Sequence, residues 1–166
     1  MSKTVVLAVD VTNGRPDRNV AAAAEMVREL ARDAAYRVIV LHVHEITYGR
    51  FGRLQVDCLE GEGDRLAADI AAQLAADGIE AKAAIRRAEY GYIAEKILVT
   101  ADEYDARLIV VGSRSRTDLP HIPIGSVATR LLHRARRPVL VVPREPVTAE
   151  ADEPATAMQD SIPAAG

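Results

Sequence analysis

Cysteine occurs once in this chain, at Cys58. A single thiol excludes an internal disulfide framework and makes a reducing, cytoplasmic setting the natural expectation. Lysine is scarce as well. Lys3, Lys82 and Lys96 are the only three, and the formal net charge is -3. Sustained non-specific binding to nucleic acid needs a broad cationic face that displaces counterions, so no nucleic-acid partner is expected. Long apolar runs are missing too: the opening MSKTVVLAVD is apolar only as far as Asp10. That is too short for a signal-peptide core or a membrane span, and no membrane association is expected. Internal repeats are also lacking.

What is present is a core. At 166 residues with 49% apolar side chains, the chain has the length of one domain and excludes disorder throughout. TVVLAVDV, YRVIVLHV, IEAKAAIR, ARLIVVGS and RPVLVVP are short apolar segments rich in Val and Ile, and read as strands. The third, Ile79 to Arg86, is the weakest and reads as an edge. Between them run helical stripes: Val20, Ala24, Val27, Ala31 and Ala34 after a cap at Asp17, then Leu66, Ile70 and Leu74 before a stop at Gly78. Ile93, Ile97, Leu98 and Ala101 form a third stripe; Val127, Leu131 and Ala135 a fourth, closed by Pro138. Gly61 and Gly63 leave the start of the second helix open. The order βαβαβαβαβ demands crossover connections and predicts an α/β fold, an open five-stranded parallel sheet with helices on both faces. Residues 1–144 are expected to form the domain. From residue 145 to 166 the chain is rich in Pro, Ala and acids without period, and reads as a disordered tail.

One stretch invites a chemical reading. In VVGSRSRTDLPHIPIGSVATRLL, residues 110 to 132, a strand breaks into a polar loop and resumes as an amphipathic helix. Gly112 and Gly125 bracket Ser113, Arg114, Ser115, Arg116 and Thr117, a set that suits an anion cradle. A glycine at the strand exit allows close backbone approach, and a helix start offers free amides to a phosphate. In open parallel sheets, ligands bind beyond the carboxyl ends of the strands, where strand order reverses.

Over residues 3 to 143 the segments TVVLAVD, VIVLHV, YIAEKILVTADEYDARLIVVGS and IGSVATRLLHRARRPVLVVP resemble the universal stress protein (UspA-like) family. The resemblance implies a Rossmann-like sheet of order 3-2-1-4-5, similar to the adenine nucleotide alpha hydrolases, with Asp10 and Gly112 side by side at the switch point. It implies ATP as ligand, alone or with Mg, under the fingerprint GxxGx9G(S/T). Here the spacing is kept by Gly112, position 115, Gly125 and Ser126, but position 115 is serine. Pro120 and Pro123 depart further, each removing a backbone donor. The residues implied to bind nucleotide are Asp10, Val43, Gly112, Ser113, Arg114, Ser115, Arg116, Gly125, Ser126 and Val127. Asp10 matches a ribose-binding acid, and Val43 the position whose backbone reads the adenine edge. A homodimer through Arg137 to Pro143 is implied as well, and this apolar last strand would lie at a sheet edge that invites pairing.

Each of these residues also has a plainer reading. Asp10 suits a turn cap, Val43 any buried strand, and Arg114 and Arg116 solvated loop charges. His42 and His44 share one strand face, but no Cys, Asp or third His stands at a known metal spacing, so they read as a packed strand-end pair. HRARR, residues 133 to 137, reads as cations complementing a helix carboxyl end. No catalytic residue is assigned. GxxxxGK(S/T), GxSxG and any Cys-His or Ser-His pair at a family spacing are absent, and DVTNGRPDRN holds neither HxGH nor a Ser-Gly-Gly loop. The chain therefore reads as an ATP-binding regulatory module of stress response. An interaction dimer without nucleotide is the alternative, and a weak ATP hydrolase or nucleotidyl transferase the third reading.

Overall fold

The computed structural model describes residues 3–12, 15–16, 18–48, 54–56, 61–113 and 124–143. In chain order the elements are β1 (Lys3–Val9), the short pair β2 (Val11–Thr12) and β3 (Arg15–Pro16), α1 (Arg18–Ala34), β4 (Tyr36–Tyr48), β5 (Leu54–Val56), α2 (Glu62–Ala76), β6 (Ala81–Glu89), α3 (Ile93–Glu103), β7 (Ala106–Gly112), α4 (Ser126–Arg134) and β8 (Val139–Val142). Five strands run parallel in the order β6-β4-β1-β7-β8, which is the 3-2-1-4-5 order expected.

The apolar runs form strands because both sheet faces are covered. Val5, Leu7, Val38 and Val40 pack under Val20 and Val27 of α1 and Leu74 of α2. Val6, Ile39 and Leu41 pack under Ile97 of α3 and Leu131 of α4. Leu7, Ile39, Leu41 and Leu74 are fully buried, and each such side chain contributes about 1.5 to 3 kcal/mol through removal from water. Among the described residues β6 pairs only with β4, as its weak pattern predicts for an edge.

The boundaries differ in instructive ways. β4 continues past Val43 to Tyr48, because Ile46 pairs with Glu89 of β6 on one side and Val56 of antiparallel β5 on the other. The third strand starts at Ala81 rather than Ile79, although Ile79 still buries its side chain. α2 begins at Glu62 after Gly61, whose φ of 110° is a left-handed conformation that glycine adopts without steric cost. In HRARR, Arg134 pairs with Glu95 Oε1 of α3 at 2.7 Å. Arg137 donates to the carbonyls of Ala101 at 2.9 Å and Ala106 at 2.5 Å, and pairs with Asp102. Arg137 therefore serves the carboxyl end of α3 and Arg134 its first turn, while the last turn of α4 carries His133 and Arg134. Among the described residues no helix is long and apolar enough to cross a membrane. The expected cap at Asp17 and the tail from residue 145 to 166 lie outside the described residues.

Candidate functional site

β1 and β7 are neighbours in the sheet, but their partners β4 and β8 lie on opposite sides. Beyond their carboxyl ends a cleft opens, of about 750 Å³ counted out to solvent. Its floor is Ala8, Val9 and Asp10 after β1, Leu41 and Val43 of β4, and Val111 and Gly112 of β7. Its walls are Asn19 and Val20 of α1, Ile93 and Ile97 of α3, and the start of α4 from Gly125 to Ala128.

The expected residues fall as follows. Asp10, Val43, Gly112, Gly125, Ser126 and Val127 line the cleft. Ser113 stands just past Gly112, its N–H donating to Val142 O at 2.8 Å. Arg114, Ser115, Arg116, Pro120 and Pro123 lie outside the described residues.

The chemistry of the cleft is divided. At the α4 end, Thr129 N–H is the first to reach an intrahelical acceptor, Gly125 O at 2.9 Å, and no side chain among the described residues caps the helix. The N–H groups of Ser126, Val127 and Ala128 precede that first bond, so they have no acceptor within the helix and present donors with the positive end of its dipole. Gly125 itself has φ -52° and ψ 156°, a conformation open to any residue. At the β1 end the groups are acceptors. Asp10 Oδ1 takes the Val11 N–H at 2.7 Å, so the turn-capping role is filled by the same carboxylate that faces the cleft. Asn19 donates through Nδ2 to Ser113 O, which fixes its amide orientation and leaves Oδ1 buried with no hydrogen-bond partner among the described residues. Much of the rest of the lining is apolar, including Val43, Ile93, Ile97 and Val111. A ligand with an anionic end, hydroxyl or amine donors and a flat apolar body matches this arrangement.

Two supports hold the site in shape. An ideal Cβ at Gly112 would lie 2.7 Å from Asn19 Cβ, so glycine is required there by the closeness of α1. The turn before α3 is gripped from both flanks: Gly91 N–H donates to Glu45 Oε1 at 2.8 Å, and Arg130 of α4 donates to Gly91 O. That grip uses the part of β4 beyond Val43 and sets the start of α3, where Ile93 meets the cleft. Asn19 was not identified in the sequence, and a helix-start asparagine carries no local signal of contact with a residue 94 positions away.

Behind the floor, on the opposite face of β4, His42 Nδ1–H donates to Val9 O at 3.1 Å. Burial is the main cause that lowers the His42 pKa below its ordinary value, the Val9 carbonyl opposing it and nearby His44 adding to it.

The sequence matches the universal stress protein family over residues 1–143. No curated protein matches the chain. A universal stress protein family member from Burkholderia pseudomallei is similar in structure, with 29% identity, 85% of this chain and 96% of that one covered, and a TM-score of 0.61. A universal stress protein of Archaeoglobus fulgidus in complex with dAMP shares 25% identity over 84% of this chain and 97% of that one, at a TM-score of 0.58. One from Arabidopsis thaliana with AMP bound shares the fold at 19% identity, with 86% and 92% covered and a TM-score of 0.61. With the sheet order, the switch-point cleft and a family match spanning nearly all of the described residues, the chain belongs to the universal stress protein family.

Proposed function

We propose that the chain is an adenine-nucleotide-binding regulatory module that takes ATP, alone or with Mg, into the switch-point cleft. The observation that carries this reading is the presence in one cleft of the α4 amides, which no described side chain caps, and the Asp10 carboxylate after β1. The amides and helix dipole suit phosphate, the carboxylate suits ribose hydroxyls or an amine, and the apolar lining suits a base. The dAMP complex of the Archaeoglobus fulgidus relative supports the nucleotide class. Arg114 and Arg116 would add charge-assisted bonds to phosphate, each worth roughly 1.5 to 3 kcal/mol.

A second reading, a dimer that works by protein contact without nucleotide, is favoured by Ser115 standing where the fingerprint has glycine. Calorimetric titration of the full chain with ATP, AMP and adenosine separates the two. Binding in the order ATP, AMP, adenosine is expected. No uptake by the wild type, with binding appearing in Ser115→Gly, would overturn the nucleotide reading in favour of the second.

A further inference from the structure

His42 and His44 project from the same face of β4 because they are two residues apart on a strand. Their rings meet edge to face with centroids 4.7 Å apart. The fold adds a third group that no sequence spacing indicated: Asp64, in the first turn of α2, accepts from His44 Nε2–H at 2.6 Å. The nitrogen and carboxylate atoms of the three residues that could serve as ligands all lie within 4.8 Å of one another.

We propose that His42, His44 and Asp64 form a binding site for a divalent transition-metal ion of the zinc type, on the opposite side of β4 from the nucleotide cleft. The proposal does not rest on the nucleotide reading. Three features of the structure favour it. His42 gives its Nδ1–H to Val9 O, which leaves Nε2 of the neutral ring with a lone pair. A backbone carbonyl on the far nitrogen is the support that metal-bound imidazoles commonly have, because it fixes both tautomer and ring direction. Gly63 lets α2 pack directly against the His42 ring, since an ideal Cβ there would lie 2.0 Å from Nε2 and 2.3 Å from Cε1, and this close packing holds the imidazole in place beside Asp64. The charge is also right. Glu62, next to Gly63, buries its Oε2 with no hydrogen-bond partner among the described residues, and Asp64 is the second carboxylate of the same helix turn. A divalent cation would offset this local negative charge.

Two imidazole nitrogens and one carboxylate oxygen make the three-ligand set of an open zinc site, with the fourth position left for water. Zinc bonds of about 2.0 to 2.2 Å hold tetrahedral ligand atoms roughly 3.4 Å apart, so the widest separation closes by about 1.4 Å on binding. Asp64 is half-exposed and gives the ion a route in from solvent, while both histidines are buried. Coordination through His44 Nε2 requires the proton now donated to Asp64 to move to Nδ1 of the same ring, so the ligand stays a neutral imidazole.

The test is a calorimetric titration of the chelator-treated full chain with Zn2+, with Co2+ as the spectroscopic substitute. One ion per chain and a tetrahedral Co2+ spectrum are expected. Asp64→Asn and His44→Gln should each weaken Zn2+ binding by roughly 100-fold or more, beyond the effect of losing a supporting group alone. His133→Ala should leave it unchanged. Absence of binding by the wild type, or equal binding by both variants, overturns the proposal. If His44→Gln fails to fold, the half-exposed Asp64→Asn and imidazole 15N NMR of the wild type still decide. Zn2+ must shift the ring nitrogens of His42 and His44 and spare those of His121 and His133, and the reverse pattern refutes the site.

Discussion

Asn19 occupies the space that a side chain at Gly112 would need, and through Nδ2 it also holds the carbonyl of Ser113. One α1 residue thus fixes the backbone at the exit of β7. Gly112→Ala would force Asn19 Cβ, only 2.7 Å away, to retreat with its helix. An overpacked contact of this kind costs about 1 to 3 kcal/mol. The urea midpoint should fall, and adenosine affinity should fall with it. Asn19→Ala should cost about 1 kcal/mol of stability for the lost bond to Ser113 O, read from the same urea midpoint.

Within the nucleotide reading, the two ends of the cleft should separate by mutation. Asp10→Ala removes an acceptor on the ribose side, and ATP and adenosine should weaken by the same factor, on the order of tenfold, equivalent to about 1.4 kcal/mol. Gly125→Val should fold normally, because φ -52° and ψ 156° suit valine. Its bulk would stand before the α4 amides, so ATP should lose much more affinity than adenosine. Equal losses for the two ligands in Gly125→Val would show that phosphate does not reach α4.

Gly63 offers a test whose sign is opposite to ordinary helix propensity. In an unobstructed helix interior, Gly→Ala stabilises by up to about 1 kcal/mol. Here the new methyl would meet His42 Nε2 at 2.0 Å and push the ring off Val9 O. Gly63→Ala should therefore destabilise by about 1 to 3 kcal/mol. In the His42→Ala background the same change should cost little or become favourable, a coupling that a double-mutant cycle in urea would measure.

β8 pairs only with β7, so the far side of β8 is an open edge among the described residues. Val139, Leu140 and Val141 are partly buried, and an edge strand of this apolar kind invites a second copy across a two-fold axis. Light scattering at micromolar concentration should give a dimer for the wild type and a monomer for Val141→Lys. A monomeric wild type would refute the pairing.

The parts of this molecule that were legible in the sequence are those written in local pattern. Val5 to Val9, Val38 to Leu41 and Leu108 to Val111 announce buried strands, and the glycine spacing of 112 and 125 marks the two cleft edges. Strand order came from resemblance, since periodicity carries no information about which strands adjoin. β4 was read as ending at Val43, although the β-branched Ile46 and Thr47 continue it; the acid at Glu45 and the polar His44 obscured the strand pattern. Asn19 and Asp64 were not legible, for a common reason. Each acquires its role from docking of a helix, α1 against the end of β7 and α2 against the end of β4, and those contacts depend on tertiary packing. Gly63 was a visible clue of close approach, but the sequence does not say what approaches.

The length of β4 has a last consequence. Because side chains alternate along it, parity of residue number is an address: Leu41 and Val43 face the cleft, while His42 and His44 face α2. The two compartments share a partition one backbone thick. A single-residue insertion or deletion between Tyr36 and Leu41 would swap the tenants, sending imidazoles into the cleft and valine against Asp64. Length change in that segment is therefore barred twice over, whereas beyond Ile46 the strand has left the cleft floor behind and can vary in length without exchanging the two sides.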